Sequence, residues 1–302
     1  MNPVTQDILH QRINQLGNLP AMPGILSSLC EALSMRSSYI ELDKIVRQIS
    51  YDESLAAQCL RMANSALFRQ RGNVSSIREA VLALGLWRVR DLAFSCSLPV
   101  IFAQVKSKMG KEVFWRHALG TAVVTQQLGQ QITSMSSDNT YLAGLLHDIG
   151  VLVNSILFVE DFGAILDQAI QNRVPFGEIE KETLGFTHAE SGRILAELWR
   201  LPVEIAEVIE FHEQPSKQRT NREVTILVHA ADILCQKNDL GYGYEFGDNQ
   251  EISVDSAWGM LAGQFPRAAK LSSAERAEVQ GSILQNAKSL ANSVFAPVTA
   301  DN

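Results

Sequence analysis

The sequence is short of several features, and each shortage removes a class of protein. Cysteine occurs four times, as Cys30, Cys59, Cys96 and Cys235, each alone in an apolar stretch. With no C-x-x-C pair, neither a disulfide framework nor a cysteine–zinc site is expected, and the setting reads as a reducing cytoplasm. No apolar run approaches the roughly 20 residues that span a bilayer, so no membrane contact is expected. The polar stretch Met1 to Gln11 lacks the charged-then-apolar pattern of a signal peptide. Positive charge is scarce: 26 Lys and Arg against 33 Asp and Glu leave a net charge of −7. Binding a phosphate backbone needs clustered cations, so nucleic acid is not an expected partner. The densest basic group (Arg61, Arg69, Arg71, Arg78, Arg88 and Arg90) reads first as a solvated helical face. Strict alternation of apolar and polar residues is missing too, which excludes an extended sheet.

What is present is apolar spacing of three and four. Hydrophobic residues make up 46% and charged residues 20%, enough to build a packed core. Pro23 suits an early position of a first helix carrying Ile25, Leu26, Leu29 and Leu33. A second helix is expected from Leu42 to Ile49. Asp52 can cap a third, with Leu55, Cys59 and Met62 inward. Ser76-Ile77-Arg78-Glu79 is a capping-box pattern. Gly85 separates a further helix that should end near Ser97, before Pro99. Helices either side of Gly85 leave a helix-turn-helix as a minor alternative, against the acidic balance. Long helices are then expected over Phe114 to Ile132 and Tyr141 to Leu157. Thr187-His188-Ala189-Glu190 forms another capping box, opening a helix through Trp199. The next starts at Pro202 and ends near His212. Asn221 can cap a last core helix through Gln236. The stretch Leu240 to Asp248 reads as a loop, and helix resumes from Ser253.

The expected architecture is all-α. An N-terminal helical lobe covers 15–105, a second helical lobe 106–240, and a loop with a C-terminal helical extension 241–302. The apolar stretch from Pro99 to Lys111 predicts one continuous unit rather than two separable domains.

From Phe114 onward, histidine and aspartate interrupt apolar helices. Asp148 lies within Leu145-Leu146-His147-Asp148-Ile149-Gly150, and Asp232 within Val228-His229-Ala230-Ala231-Asp232-Ile233. A buried carboxylate without a partner costs several kcal/mol, so each needs a metal, an arginine or backbone amides. Together with imidazoles, for which His117, His147, His188 and His212 are the candidates, such carboxylates would suit Mn, Fe, Ni or Zn better than Ca or Mg. His188, in a first helical turn, is expected to be neutral, because the helix dipole there disfavours the imidazolium.

These residues resemble a known family. Leu142-Ala143-Gly144-Leu145-Leu146-His147-Asp148-Ile149-Gly150 resembles the signature of the HD superfamily. Leu19-Pro20-Ala21-Met22-Pro23 resembles the L-P-x-x-P opening of HDOD domains. Tyr51-Asp52-Glu53-Ser54-Leu55 resembles their D-P-x-L step, with Glu53 in place of proline. Met62-Ala63-Asn64-Ser65-Ala66-Leu67-Phe68 resembles A-N-S-A-x-F. Ser75-Ser76-Ile77-Arg78-Glu79-Ala80-Val81 with Leu84-Gly85 resembles S-I-x-x-A-[IV]-x-x-L-G. The motifs occur in the family's order over about residues 15 to 240.

The resemblance implies an HD-like helical fold and a role in bacterial signalling as a regulatory or output module. It implies a metal site of one or two ions at His117, His147, Asp148, His188, His212 and Asp232. It further implies a signalling protein or a small nucleotide-type ligand as partner, with a homodimer as a further arrangement. Asn64 and Ser65 are candidates for binding in the N-terminal lobe, or for simply ending their helix. The departures from the HD-GYP enzymes speak against turnover. Phe211 replaces the first histidine of H-H-E, and Val151 replaces the lysine after H-D-I-G. Glu213-Gln214-Pro215-Ser216 stands where D-G-x-G-Y-P is absent. A metal-dependent phosphohydrolase (phosphodiesterase) of the HD superfamily is the alternative.

Overall fold

The three- and four-residue spacing folds into helices throughout, and no strand occurs among the described residues. The computed structural model describes residues 20–34, 42–51, 53–65, 72–103, 105–133, 139–172, 174–220, 222–243 and 253–295. The first lobe holds α1 (Gly24–Ser34), α2 (Leu42–Tyr51), α3 (Glu53–Ala63), α4 (Ile77–Leu84) and α5 (Leu86–Ala103). The second holds α6 (Lys111–Ile132), α7 (Thr140–Leu146), α8 (Ile149–Leu157), α9 (Val159–Asn172), α10 (Phe176–Leu184), α11 (His188–Leu198), α12 (Val203–Phe211) and α13 (Glu223–Gln236). Then follow α14 (Val254–Gln264), α15 (Pro266–Lys270) and α16 (Ser273–Phe295). The proposed caps Asp52 and Asn221, and part of the opening and A-N-S-A-x-F motifs, lie outside the described residues.

In the first lobe, α1, α3 and α4 pack on α5. That helix does not stop before Pro99 but runs on to Ala103. Proline removes one backbone donor and usually breaks a helix interior. Here Leu98 and Phe102, both fully buried, anchor the helix on either side of it. Arg90 is not on a solvated face. It is 1% exposed, with Nε and Nη2 donating to Asp91 Oδ1 and Nη1 donating to Asn139 Oδ1. Ser95 and Tyr141 share a 2.9 Å hydroxyl bond, and the Phe102 ring lies 6.0 Å from Trp115 and 6.2 Å from Trp199. Polar and aromatic contacts therefore join α5 directly to the second lobe.

The axis of the second lobe is α6, 22 residues long and buried on all sides over most of its length. A helix buried on every face needs neighbours on every face, and α7, α13 and α16 supply the cover. The helix expected from Tyr141 to Leu157 is broken in two. Asp148, at φ −100° and ψ 13°, leaves helical geometry, and α8 starts afresh behind it. This bridge-region backbone recurs at active-site residues. It turns His147 and Asp148 together toward the lobe interior. The 18-residue stretch Thr140–Leu157 is more apolar than expected and would meet the length and composition of a membrane span, but it is almost entirely buried within the protein.

Behind the break, α8 and α11 meet backbone to backbone. A Cβ on Gly150 would lie 1.8 Å from the His188 carbonyl oxygen, and one on Gly192 would lie 2.7 Å from Ile209 Cγ2. Gly150→Ala should therefore force the two helices apart and destabilise the protein by about 3 kcal/mol or more, read by denaturant unfolding. Gly163→Ala is the control. It sits inside α9 with nothing within 4 Å of its Cβ position, so it should stabilise by about 0.5–1 kcal/mol. A neutral Gly150→Ala would refute the close packing.

Candidate metal centre

Five helix segments deliver six side chains to one point. His117 comes from α6 and Asp232 from α13. His147 and Asp148 occupy the break between α7 and α8. His188 is the first residue of α11, fixed there by a complete capping box between Thr187 and Glu190. His212 directly follows α12.

Asp148 lies between two groups of imidazoles. Its Oδ2 is 3.5 Å from His117 Nε2 and 3.3 Å from His147 Nε2. Its Oδ1 is 3.0 Å from His212 Nε2 and 3.5 Å from His188 Nε2. Asp232 Oδ1 joins the first group, 3.2 Å from His117 Nε2 and 3.7 Å from His147 Nε2. His117, His147 and Asp148 form one set able to hold a metal, and Asp148, His188 and His212 form another.

Every imidazole is aimed the same way. His117 Nδ1 donates to the Leu240 carbonyl at 2.8 Å, and His188 Nδ1 to Glu180 Oε2 at 2.6 Å. His147 and His212 donate through Nδ1 to the carbonyls of Gly144 and Ile209, each three residues back, at 2.8 and 2.9 Å. Carbonyls at a helix end lack intrahelical donors, so these two rings cap the helices they follow. A carbonyl only accepts, so Nδ1 carries the hydrogen and Nε2 of the neutral ring carries a lone pair. The Nε2 atoms of His117 and His147 face each other at 3.3 Å. Two lone pairs so close require a proton or a cation between them. Outer hydrogen bonds of this kind orient histidines that ligate metals. The donor set therefore fits a borderline transition ion, with no cysteine or arginine involved.

Without a metal, protons fill the cluster. Burial opposes the charged form of His117, but its bonds to Asp148 and Asp232 outweigh burial and raise its pKa to about 10. His147 rises in the same way, through Asp148 and then Asp232, to about 9. Burial would raise the two aspartates, yet the facing imidazoles hold Asp148 and Asp232 well below the usual carboxylate range. His188 departs from the neutral state expected of it. Despite burial, Glu180 and Glu213 push its pKa well above the ordinary value, overriding the helix dipole.

Several participants were not singled out in the sequence. Glu180 is fully buried and also accepts from the His188 backbone and from Asn154 Nδ2. Its signal was an acid four residues after the buried Phe176 on an otherwise core-facing stripe. Gln236 Nε2 donates to Asp232 Oδ1 at 2.6 Å, and Tyr242 Oη donates to Asp148 Oδ2 at 3.0 Å. His229 donates to the His212 carbonyl, and burial lowers its pKa. The cavity at the cluster is about 70 Å³, walled by Val151, Phe176, Gln236 and Tyr242 among others. Pro175 and Glu213 line both this cavity and an open cleft of about 570 Å³ beside it.

Asn64 and Ser65 are remote from this centre in the chain and serve the first lobe. Asn64 Nδ2 donates to the carbonyls of Leu60 and Val74, and Asn64 Oδ1 accepts from the Val74 backbone. These bonds tie the end of α3 to Val74, the structural role left open beside the binding one. Ser65 Oγ is buried with no hydrogen-bond partner among the described residues. Asn64→Ala should destabilise by about 1–3 kcal/mol in denaturant unfolding, and an unchanged midpoint would refute the clamp.

The protonated cluster has a pH signature. His117 and His147 bind protons more tightly in the folded chain, so their stabilisation is complete below about pH 6.5 and vanishes as pH rises through 9 to 10. Asp148 and Asp232 act oppositely, with stabilisation present above about pH 3.8 and lost on acidification. The melting temperature of chelator-treated protein should fall between about pH 6.5 and 10, and metal uptake should release protons. A flat alkaline limb would contradict the assignment.

Comparisons with known proteins bear on the family and the fold. The HDOD domain family matches residues 19–215. An uncharacterised Treponema pallidum protein is 24% identical over 200 residues, 66% of this chain; the aligned part is 38% of that longer protein. An HDOD domain protein of unknown function from Geobacter sulfurreducens superposes with a TM-score of 0.81 at 24% identity, covering 97% of this chain and 99% of its own. A candidate phosphohydrolase from Shewanella amazonensis gives 0.72 at 22% identity, covering 95% and 97%. At these identities the superpositions establish a shared all-helical fold. With the family match spanning well over half its length, the chain belongs to the HDOD family.

Proposed function

We propose that this chain is a cytoplasmic regulatory or output module that acts by binding, and that it retains a metal centre at His117, His147, Asp148, His188, His212 and Asp232. The partner is a signalling protein or a small nucleotide-type ligand, and a homodimer is compatible with either. One observation carries the reading. Donors able to hold an ion surround Asp148, while no lysine or arginine among the described residues lines the cavity they share. Val151, 2% exposed, fills the place after His147-Asp148-Ile149-Gly150 where a phosphate-facing cation would be needed. A cavity of about 70 Å³ has room for ions and a water or two, far below the roughly 300 Å³ of a small-molecule site.

The two faces of Asp148 favour one or two ions of Fe, Mn, Ni or Zn. Such an ion supplies positive charge and Lewis acidity; the histidines hold it, and the carboxylates neutralise it. Nucleic acid is disfavoured by the burial of α5, which a helix-turn-helix would need to insert into a groove. The free, buried cysteines accord with a reducing compartment.

A metal-dependent phosphohydrolase is the second reading, favoured by the open cleft beside the centre. Lys181 and Lys217 line that cleft, although Lys181 is paired with Glu190. Elemental analysis of protein purified without added metal should find a transition ion, and Asp148→Ala should abolish it. The same change should lower stability by about 3–5 kcal/mol, because it leaves buried partners unpaired. Cyclic-dinucleotide and nucleotide substrates should remain uncleaved. Metal-dependent hydrolysis lost in Asp148→Ala would establish the enzyme reading instead.

A further inference from the structure

Tyr242 approaches the centre from beyond residues 19–215, the part of the chain that matches the family. It sits in the segment that follows α13, where Gly243, at φ +91°, adopts a backbone that favours glycine. The same segment supplies the Leu240 carbonyl that orients His117. The Tyr242 hydroxyl donates to Asp148 Oδ2, the oxygen that faces His117 and His147. Its ring is held independently of that bond. It stacks on Phe114, with centroids 6.1 Å apart and planes within 3°, and lies 4.5 Å from the His117 ring.

A carboxylate shared by two groups of imidazoles works only if each oxygen keeps to its own side. Rotation about Cβ–Cγ would spoil both sets at once. Oδ1 meets His212 and His188, both of which lose their hold if the carboxylate turns. The phenol is a neutral donor on a fixed ring, so it locks that rotation without adding charge.

We propose that Tyr242 is a positioning residue of the metal centre: its hydroxyl fixes the Asp148 carboxylate, with Oδ2 toward His117 and His147 and Oδ1 toward His188 and His212. This rests on the metal-centre reading above. Losing the outer hydrogen-bond partner of a metal ligand typically weakens metal affinity by about 10–100-fold. The segment after α13 thereby becomes part of the site, although it lies outside the family match.

The test uses the full chain, stripped with chelator and titrated with Co(II) by calorimetry and visible absorption. Tyr242→Phe keeps the ring and removes the hydroxyl; Tyr242→Ala removes both. Tyr242→Phe should bind Co(II) about 10–100-fold more weakly, with an altered absorption spectrum and a metal-free melting temperature close to wild type. Tyr242→Ala should bind at least as weakly and also melt earlier. If Tyr242→Phe binds within about threefold of wild type with the same spectrum, the ring alone matters and the proposal is overturned. If the wild-type protein takes up no Co(II), the metal-centre reading itself fails, a result distinct from equal binding by both.

Discussion

The structure turns on one buried carboxylate. Asp148 is 5% exposed and faces four imidazoles, two on each oxygen. An ionised carboxylate removed from water costs several kcal/mol unless charge and hydrogen bonds surround it. Much of the second lobe answers that requirement. The helix breaks at Asp148, two histidines cap the helices they follow, and Thr187 fixes the register of His188. Gly150 and Gly192 let α8 and α11 approach closely enough to bring His188 to Asp148.

The same break connects the centre to the first lobe. The short helix α7 is seven residues long. Asn139 and Tyr141 at its start hold Arg90 and Ser95 of α5, and His147 closes its other end. A rigid segment of one to two turns thus separates the metal donors from the buried polar contacts between the lobes. This places the charge state of the centre one helix away from the first lobe.

The helical architecture was legible because buried faces repeat at three and four residues, as in α4, which buries Ile77, Ala80, Val81 and Leu84. Asp148 and Asp232 stood out because a charge in an apolar run demands compensation, and the family resemblance set His117, His147, His188 and His212 beside them. Other features were hidden for physical reasons. Pro99 and the break at Asp148 depend on tertiary packing that overrides local preference. Arg90 looked like one of several surface cations because its burial depends on the packing of the lobes, where Asn139, 49 residues away, accepts one of its hydrogen bonds. Glu180 resembled an ordinary helical acid, and its fit to His188 exists only once α10 and the start of α11 are brought together. In the metal-free cluster, Glu180 and Glu213 act on His188 more strongly than the helix dipole does and raise its pKa, a field that exists only in the folded chain.

The central claim is that Asp148 organises a metal centre rather than a metal-free ion-pair network. Anomalous X-ray scattering from crystals of protein purified without added metal, recorded across the Mn, Fe, Ni and Zn edges, tests it directly. The account predicts a transition-metal signal in contact with Asp148 and the surrounding histidines. A well-ordered cluster with no anomalous signal, even after soaking in Mn(II) or Zn(II), would contradict it.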